Sequence, residues 1–452
     1  MKRFLLILTM ILWASSAQAA TWYVDSAVGT SGTGTSWAAA WKNFSNIKGL
    51  QPGDVVNISG GTVSKTYNTG EFLSASGTAA APITYQVSAE AGHNGMVNIV
   101  VPSQAPWHWI YASPSQRIGQ WIIINGNVGG VSHMTVTAPI ILDAVSSQGI
   151  VLRYITTNGQ VTAYDADSIE LDHVTFTLNN GIDGVIRGIG RNQGSVAYPS
   201  GYTRNSIHDC VLNIATDISG NGFGDDGIQN VGNISLYNNR IIGVNVNPYS
   251  GSQHQDGIQT KGPNVRIYNN YFENITNYPI FGEFFSNGGH FQIFNNILYK
   301  NPSQNISLGS SSSGLTIDDI QIFNNTIVNG GIGIALGQGY PNTTVTNSNV
   351  VNNLIYNTPT PTYIIGGPTV SNNTTGGTAG ISFVSPTGDF HLQGASTAAI
   401  DKGISPSNIT SITKSDREGN TRPAGTAWDI GAYEFGGIAD TAPPPPQNLK
   451  VN

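Results

Sequence analysis

The chain has 452 residues, only 10% of them charged, with 55 glycines and a formal net charge of −7. Helical proteins usually carry more charge on their outer faces, so this balance argues for strands and turns. The negative charge excludes a general attraction to nucleic acid, and an acidic glycan would have to meet local cations or metal ions.

Lys2 and Arg3 precede an apolar run from Phe4 to Trp13, and Ala17-Gln18-Ala19 offers a small-residue cleavage site. The run is too short to span a bilayer, so the pattern predicts a signal peptide over residues 1–19. No later segment suits a membrane span. A secreted protein is expected (extracellular, periplasmic or at the cell surface), monomeric and without nucleic acid as a partner.

Residues 20–436 read as one body. Its length is large for a single compact core, but a solenoid escapes that limit because each repeat buries itself against its neighbours. At the N-terminal end, Thr35 or Ser36 can cap a short helix running through Ile47. Trp37, Trp41 and Phe44 give that helix one apolar stripe, suited to plugging the open end of a solenoid. Gln51-Pro-Gly-Asp-Val-Val56 then opens the first coil. Trp107-His108-Trp109 reads as edge packing, with a sugar platform as the alternative.

Internal repetition is the strongest signal. Ser235-Leu-Tyr-Asn-Asn239, Arg266-Ile-Tyr-Asn-Asn270, Gln292-Ile-Phe-Asn-Asn296 and Gln321-Ile-Phe-Asn-Asn325 share one pattern, and Val350-Val-Asn-Asn353 is a weaker copy. Ile150-Val-Leu-Arg153 and Ile169-Glu-Leu-Asp172 carry the strand without the Asn pair. The spacing predicts an all-β, single-stranded, right-handed parallel β-helix with three short strands per coil. Asn tolerates the left-handed backbone of a sharp corner, and stacked Asn amides can bond along the coil axis. The Asn pairs are therefore structural ladders. Cys210, the single cysteine, reads as a small buried hydrophobe. Asp318-Asp319 reads as a turn before a strand.

Aligning the coils brings a second face into register. Asp226-Gly-Ile-Gln229 and Asp256-Gly-Ile-Gln259 are thirty positions apart, Ile182-Asp183-Gly-Val185 is an earlier copy, and Ile280-Phe-Gly-Glu283 follows. Strand alternation puts Ile258, Thr260 and Ile280 inside and Gln259, Lys261 and Glu283 outside. The expected outward patch holds Asp225, Asp226, His254, Asp256, Gln259, Lys261 and Glu283, with Arg187 and Arg191 a coil earlier. Gln229, Gln259, Arg187 and Tyr278 are the candidate substrate-binding residues.

The stretch from His254-Gln-Asp256 through Thr260-Lys261-Gly to Asn269-Asn-Tyr-Phe272 resembles the central coils of alginate and chondroitinase-B-type polysaccharide lyases. These belong to the pectate-lyase-like β-helices. The resemblance implies β-elimination on an extracellular, uronic-acid-containing polysaccharide. It implies Lys261 as base and Asp256 at an acidic, often calcium-binding position; His254 and Glu283 stand as the candidate catalytic neighbours, and Asp225, Asp226 and Asp256 offer oxygen ligands for Ca²⁺. His254 stands at an acidic position of the pattern. Glu283 stands about where the family carries arginine, so the cation expected there is replaced by a carboxylate.

Two other readings stay open. One is polygalacturonase-type hydrolysis by Asp226 and Glu283, whose two-coil separation of about 9.6 Å is near the upper end for an inverting pair. The other is a non-catalytic carbohydrate-binding or adhesion protein in which Tyr249, Tyr278, Phe281, Phe284 and Phe285 stack on sugars. Beyond the coils, Asp416-Arg-Glu-Gly, Arg422-Pro423 and Asp429-Ile-Gly-Ala-Tyr-Glu434 together resemble the terminal segment of bacterial secreted β-helix proteins. Residues 437–452 form a Pro-rich tail.

Overall fold

Three columns of apolar side chains run along the molecule. Ile207, Leu236, Ile267, Ile293, Ile322 and Val350 pair in register in the first. Ile228, Ile258, Ile280, Ile306 and Ile334 form the second. Leu212, Ile241, Phe272, Leu298, Ile327 and Ile355 form the third. All are fully buried, and each contributes roughly 2 kcal/mol by leaving water.

The computed structural model describes residues 19–436, apart from 69–72, 74, 102–108, 112–118, 143–147, 164–165, 178–184, 191–204, 216–225, 245–254, 285–286, 311, 340–342 and 407–413. Residues 1–18 of the expected signal peptide and the Pro-rich tail lie outside the described residues, as do Trp107, His108, Asp183, Arg191, Asp225, Tyr249, His254 and Phe285. Among the described residues, three long parallel sheets hold fourteen, eleven and ten strands, numbered sheets I, II and III. One coil runs through Ile258–Thr260 in sheet III, Val265–Tyr268 in sheet I and Tyr271–Glu273 in sheet II, then returns to sheet III at Ile280–Phe284. This is the right-handed parallel β-helix that the repeat predicts. Among the described residues, no helix is long and apolar enough to cross a membrane.

The Asn pairs divide two tasks at the corner between sheets I and II. The first members, Asn238, Asn269, Asn295, Asn324 and Asn352, hold φ between 53° and 58°, the left-handed turn that Asn tolerates. The second members stack inside. Asn239 Oδ1 accepts the Cys210 N–H, and Asn270, Asn296, Asn325 and Asn353 repeat that bond with the coil before. Cys210 continues this ladder. It is buried as expected, but its Sγ also accepts the Val174 N–H at 3.4 Å.

Two expectations are corrected. No helix spans residues 35–47; two short 3₁₀ turns, Trp37–Ala39 and Phe44–Asn46, stand there instead. Trp41 is the reason. Its N–H donates to Tyr23 O and its carbonyl accepts the Asp25 N–H, tying the middle of the segment to the first strand of sheet I. The expected cap is real, since Ser36 Oγ accepts the Ala39 N–H. Trp41 and Phe44 still close the core. Asp318 and Asp319, read as a turn, lie inside the strand Thr316–Phe323. Asp319 has φ of 53° there, so it bends a continuing strand.

Past the last coils, the hairpin Phe383–Ser385 and Asp389–Leu392 is fastened to the terminal segment by His391. Its Nδ1 meets Asp389, its Nε2 lies 3.1 Å from Glu418 Oε1, and its ring stacks on Tyr433. The bond to Glu418, with help from Asp389, lifts the His391 pKa to about 9. A folded-state pKa above the ordinary value of about 6.5 stabilises the fold fully below that value, and the contribution disappears as pH rises through about 9. His391→Gln should therefore lower the melting temperature at pH 6 and match the parent above about pH 9.5, which paired thermal melts would check.

Candidate functional site

Sheet III places the predicted patch. The outward residues Arg187, Gln229, Gln259 and Phe281 pair in register across four coils. Ile258 and Thr260 are buried between them, with the Thr260 hydroxyl donating to Val231 O. One step beyond the row, Lys261 Nζ lies 3.4 Å from Glu283 Oε2, with about a quarter of each side chain exposed. Sequence alternation thus finds both residues and their common face.

The aspartates differ from expectation. Asp226 and Asp256 were expected on the outer patch, yet both are fully buried. Alternation holds inside a strand, and each aspartate lies two residues before its strand begins. Asp226 Oδ1 accepts the Asp256 N–H, and Asp256 Oδ1 accepts the Tyr278 N–H. Each carboxylate thus holds the backbone of the following coil. Asp226 Oδ2 also accepts from the Gln229 amide, and Asp256 Oδ1 from Asn277 Nδ2. Three of these four carboxylate oxygens already serve protein donors. Calcium needs six to eight oxygens free to turn toward it, so the donors present fit a coil-stacking network better than a calcium cage. Asp225 and His254 lie outside the described residues.

Two further features mark the patch. Gln259 is 5% exposed, and among the described residues its Oε1 has no hydrogen-bond partner. Such a buried acceptor normally finds water or a ligand. Tyr278 and Phe281 stack with centroids 4.7 Å apart, both half-buried. Phe284, by contrast, packs edge-on against Phe291 in the core.

A second set of ionisable residues, which the motif reading passes over, lies on sheet I. Arg153, Glu170, Asp172, His173, His208 and Asp209 crowd three consecutive coils. Its signal was present in the sequence. His208-Asp209 occupies the aromatic–Asn position of Tyr237-Asn238 and Tyr268-Asn269.

No protein-family model and no curated protein matches the sequence. Among solved structures, the chain is similar to pectate lyase Pel9A at 17% identity, covering 92% of this chain and 97% of that one, with a TM-score of 0.45. It is similar to a rhamnogalacturonan lyase at 15% identity, with coverages of 81% and 91% and a TM-score of 0.42. It is also similar to PfbA, a surface adhesin of Streptococcus pneumoniae, at 12% identity, with coverages of 72% and 85% and a TM-score of 0.41.

Proposed function

We propose that this protein is secreted and cleaves a uronic-acid-containing polysaccharide by β-elimination at the Lys261–Glu283 pair. The observation that carries this reading is the partly exposed pair itself, 3.4 Å apart on the outer face of sheet III. The Tyr278–Phe281 stack offers an apolar wall for a sugar ring. An ion-paired lysine is a cation. Lys261 therefore neutralises the uronate carboxylate as charge develops on it. Glu283 removes the proton from the adjacent ring carbon. The bond from the next carbon to the linking oxygen breaks, a carbon–carbon double bond forms, and the departing oxygen takes a proton from solvent. This reverses the expected role of Lys261 as base. Hydrolysis by Asp226 and Glu283 is weaker, because Asp226 is buried and both its oxygens are engaged.

The mature protein, tested against uronic-acid and neutral polysaccharides, should generate the ultraviolet absorbance of an unsaturated uronate. Glu283→Gln should lower kcat by about 10²- to 10⁴-fold, the range for losing a positioned base. Lys261→Arg should keep measurable activity, and Lys261→Met should not. An active Glu283→Gln protein beside an inactive Lys261→Arg protein would return the base to Lys261. New reducing ends without absorbance would indicate hydrolysis. Silence in both assays across the panel would sink the enzyme reading in favour of carbohydrate binding alone.

A further inference from the structure

The left-handed corner between sheets I and II normally holds Asn, with an aromatic residue just before it. Tyr237-Asn238, Tyr268-Asn269, Phe294-Asn295 and Phe323-Asn324 follow this rule, and their rings stack 4.9 to 5.0 Å apart. Three earlier coils break it with Arg153-Tyr154, Asp172-His173 and His208-Asp209, whose corner residues keep φ between 51° and 54°. Tyr is a poorer occupant of that backbone region than Asn. In a chain with 10% charged residues, an ionisable block at a structural corner needs a reason.

Two overlapping triads of donor atoms meet there, Glu170–Asp172–His208 and Asp172–His173–Asp209. Asp172 Oδ1 lies 3.6 Å from His208 Nδ1 and 2.5 Å from His173 Nδ1. His208 Nδ1 lies 2.8 Å from Asp209 Oδ2. One ligand atom each from Asp172, His173 and Asp209 falls within 4.8 Å of the others. A tetrahedral zinc with bonds of about 2.0 Å separates its ligands by about 3.3 Å. One imidazole and two carboxylates match the ligand types of first-row transition ions, and the two negative charges match a dication. The surroundings orient the set. Arg153 Nε donates to Asp172 Oδ2 at 2.6 Å, leaving Oδ1 toward the imidazoles, while its Nη2 pairs with Glu170. His173 stacks on Tyr154, and His208 on Tyr237.

We infer that Asp172, His173 and Asp209, with His208 hydrogen-bonded to Asp209 behind them, form a binding site for a first-row transition-metal dication, with zinc as the reference ion and solvent completing the set. The site lies on a different sheet from Lys261 and Glu283, so it stands or falls independently of the proposed activity. By joining neighbouring coils it would staple them, and binding to the folded state alone raises stability by mass action.

The test is calorimetric titration of the full, chelator-treated mature chain with Zn²⁺, beside thermal melts. One saturable equivalent and an upward thermal shift are expected. His173→Gln and Asp172→Asn should each weaken binding about tenfold or more, since even outer-sphere changes cost about 10- to 100-fold. Lys261→Met should bind zinc like the parent. If Asp172→Asn loses its fold by circular dichroism, His173→Gln carries the test, its side chain being 39% exposed. Absence of saturable binding would overturn the inference, as would equal binding by parent and His173→Gln. Displacement of Zn²⁺ by equimolar Ca²⁺ would overturn the assignment to a transition metal.

Discussion

Arg422→Met should loosen the C-terminal segment, at a cost of about 3–5 kcal/mol, the usual penalty for leaving one member of a buried ion pair. Arg422 Nη1 lies 2.6 Å from Glu434 Oε1, with the two side chains 0% and 1% exposed. Arg422 also donates to Gly431 O and Asn295 Oδ1, while Glu434 accepts the N–H groups of Asp429 and Ala424. Losing the guanidinium strands a carboxylate among backbone groups that cannot neutralise it. The damage should spread to the corner, because Asn295 and Asn324 side chains donate to Ser415, Asp429 and Gly431 carbonyls. Phe294 and Phe323 form their own buried cluster at that corner.

Hydrogen exchange should therefore rise over residues 414–436 and at 294–295 and 323–324, with little change near Ile150–Arg153 many coils away. The double variant Arg422→Met, Glu434→Leu should recover most of the loss, because both charges leave together. Arg240→Ala, which removes a half-exposed partner 3.5 Å from Glu273, should cost under about 1 kcal/mol. Equal protection of 414–436 in parent and Arg422→Met would show that the segment is held by its other contacts.

The coils were legible because their rule is local. An apolar residue every second position fixes which side chains turn inward, and the Asn pair marks the corner. Ile258, Thr260 and Ile280 turn inward, and Lys261 and Glu283 outward, as that rule requires. Asp226 and Asp256 escaped it because they precede their strands, where hydrogen bonds to the next coil decide the direction of the side chain. The N-terminal helix failed for a related reason. The stripe of Trp37, Trp41 and Phe44 carries no information about Trp41 pairing with the first strand, a contact made across the fold. The Asp172–His208 cluster needed register between coils of unequal length: Asp172 and His208 are 36 positions apart, whereas His208 and Tyr237 are 29 apart. A reading keyed to the Asn pair stops at the coil where Cys210 replaces Asn.

That replacement sets up a graded test of the inner ladder. Asn296 donates through Nδ2 to Ile267 O and Asn325 Oδ1, and its own Oδ1 accepts the Asn270 N–H. Asn296→Leu, similar in size, should leave the Asn270 N–H buried without its partner and strip the Ile267 carbonyl of its side-chain donor. At about 1–3 kcal/mol for an orphaned buried group, the loss should be about 2–3 kcal/mol. Cys210 holds the same place in its coil through weaker sulfur bonds: Sγ accepts the Val174 N–H, and the thiol donates toward the His208 and Leu171 carbonyls. Cys210→Ala should cost clearly less, because the polar contacts removed are weak sulfur bonds. Denaturant melts should rank the two variants in that order, and amide exchange should accelerate at Asn270 in the first and at Val174 in the second. Because each coil contacts only its neighbours, both effects should fade within a coil or two. Equal losses for the two variants would mean that the ladder acts through packing volume, with hydrogen bonding secondary, and Asn would then hold the inner corner positions by its size alone.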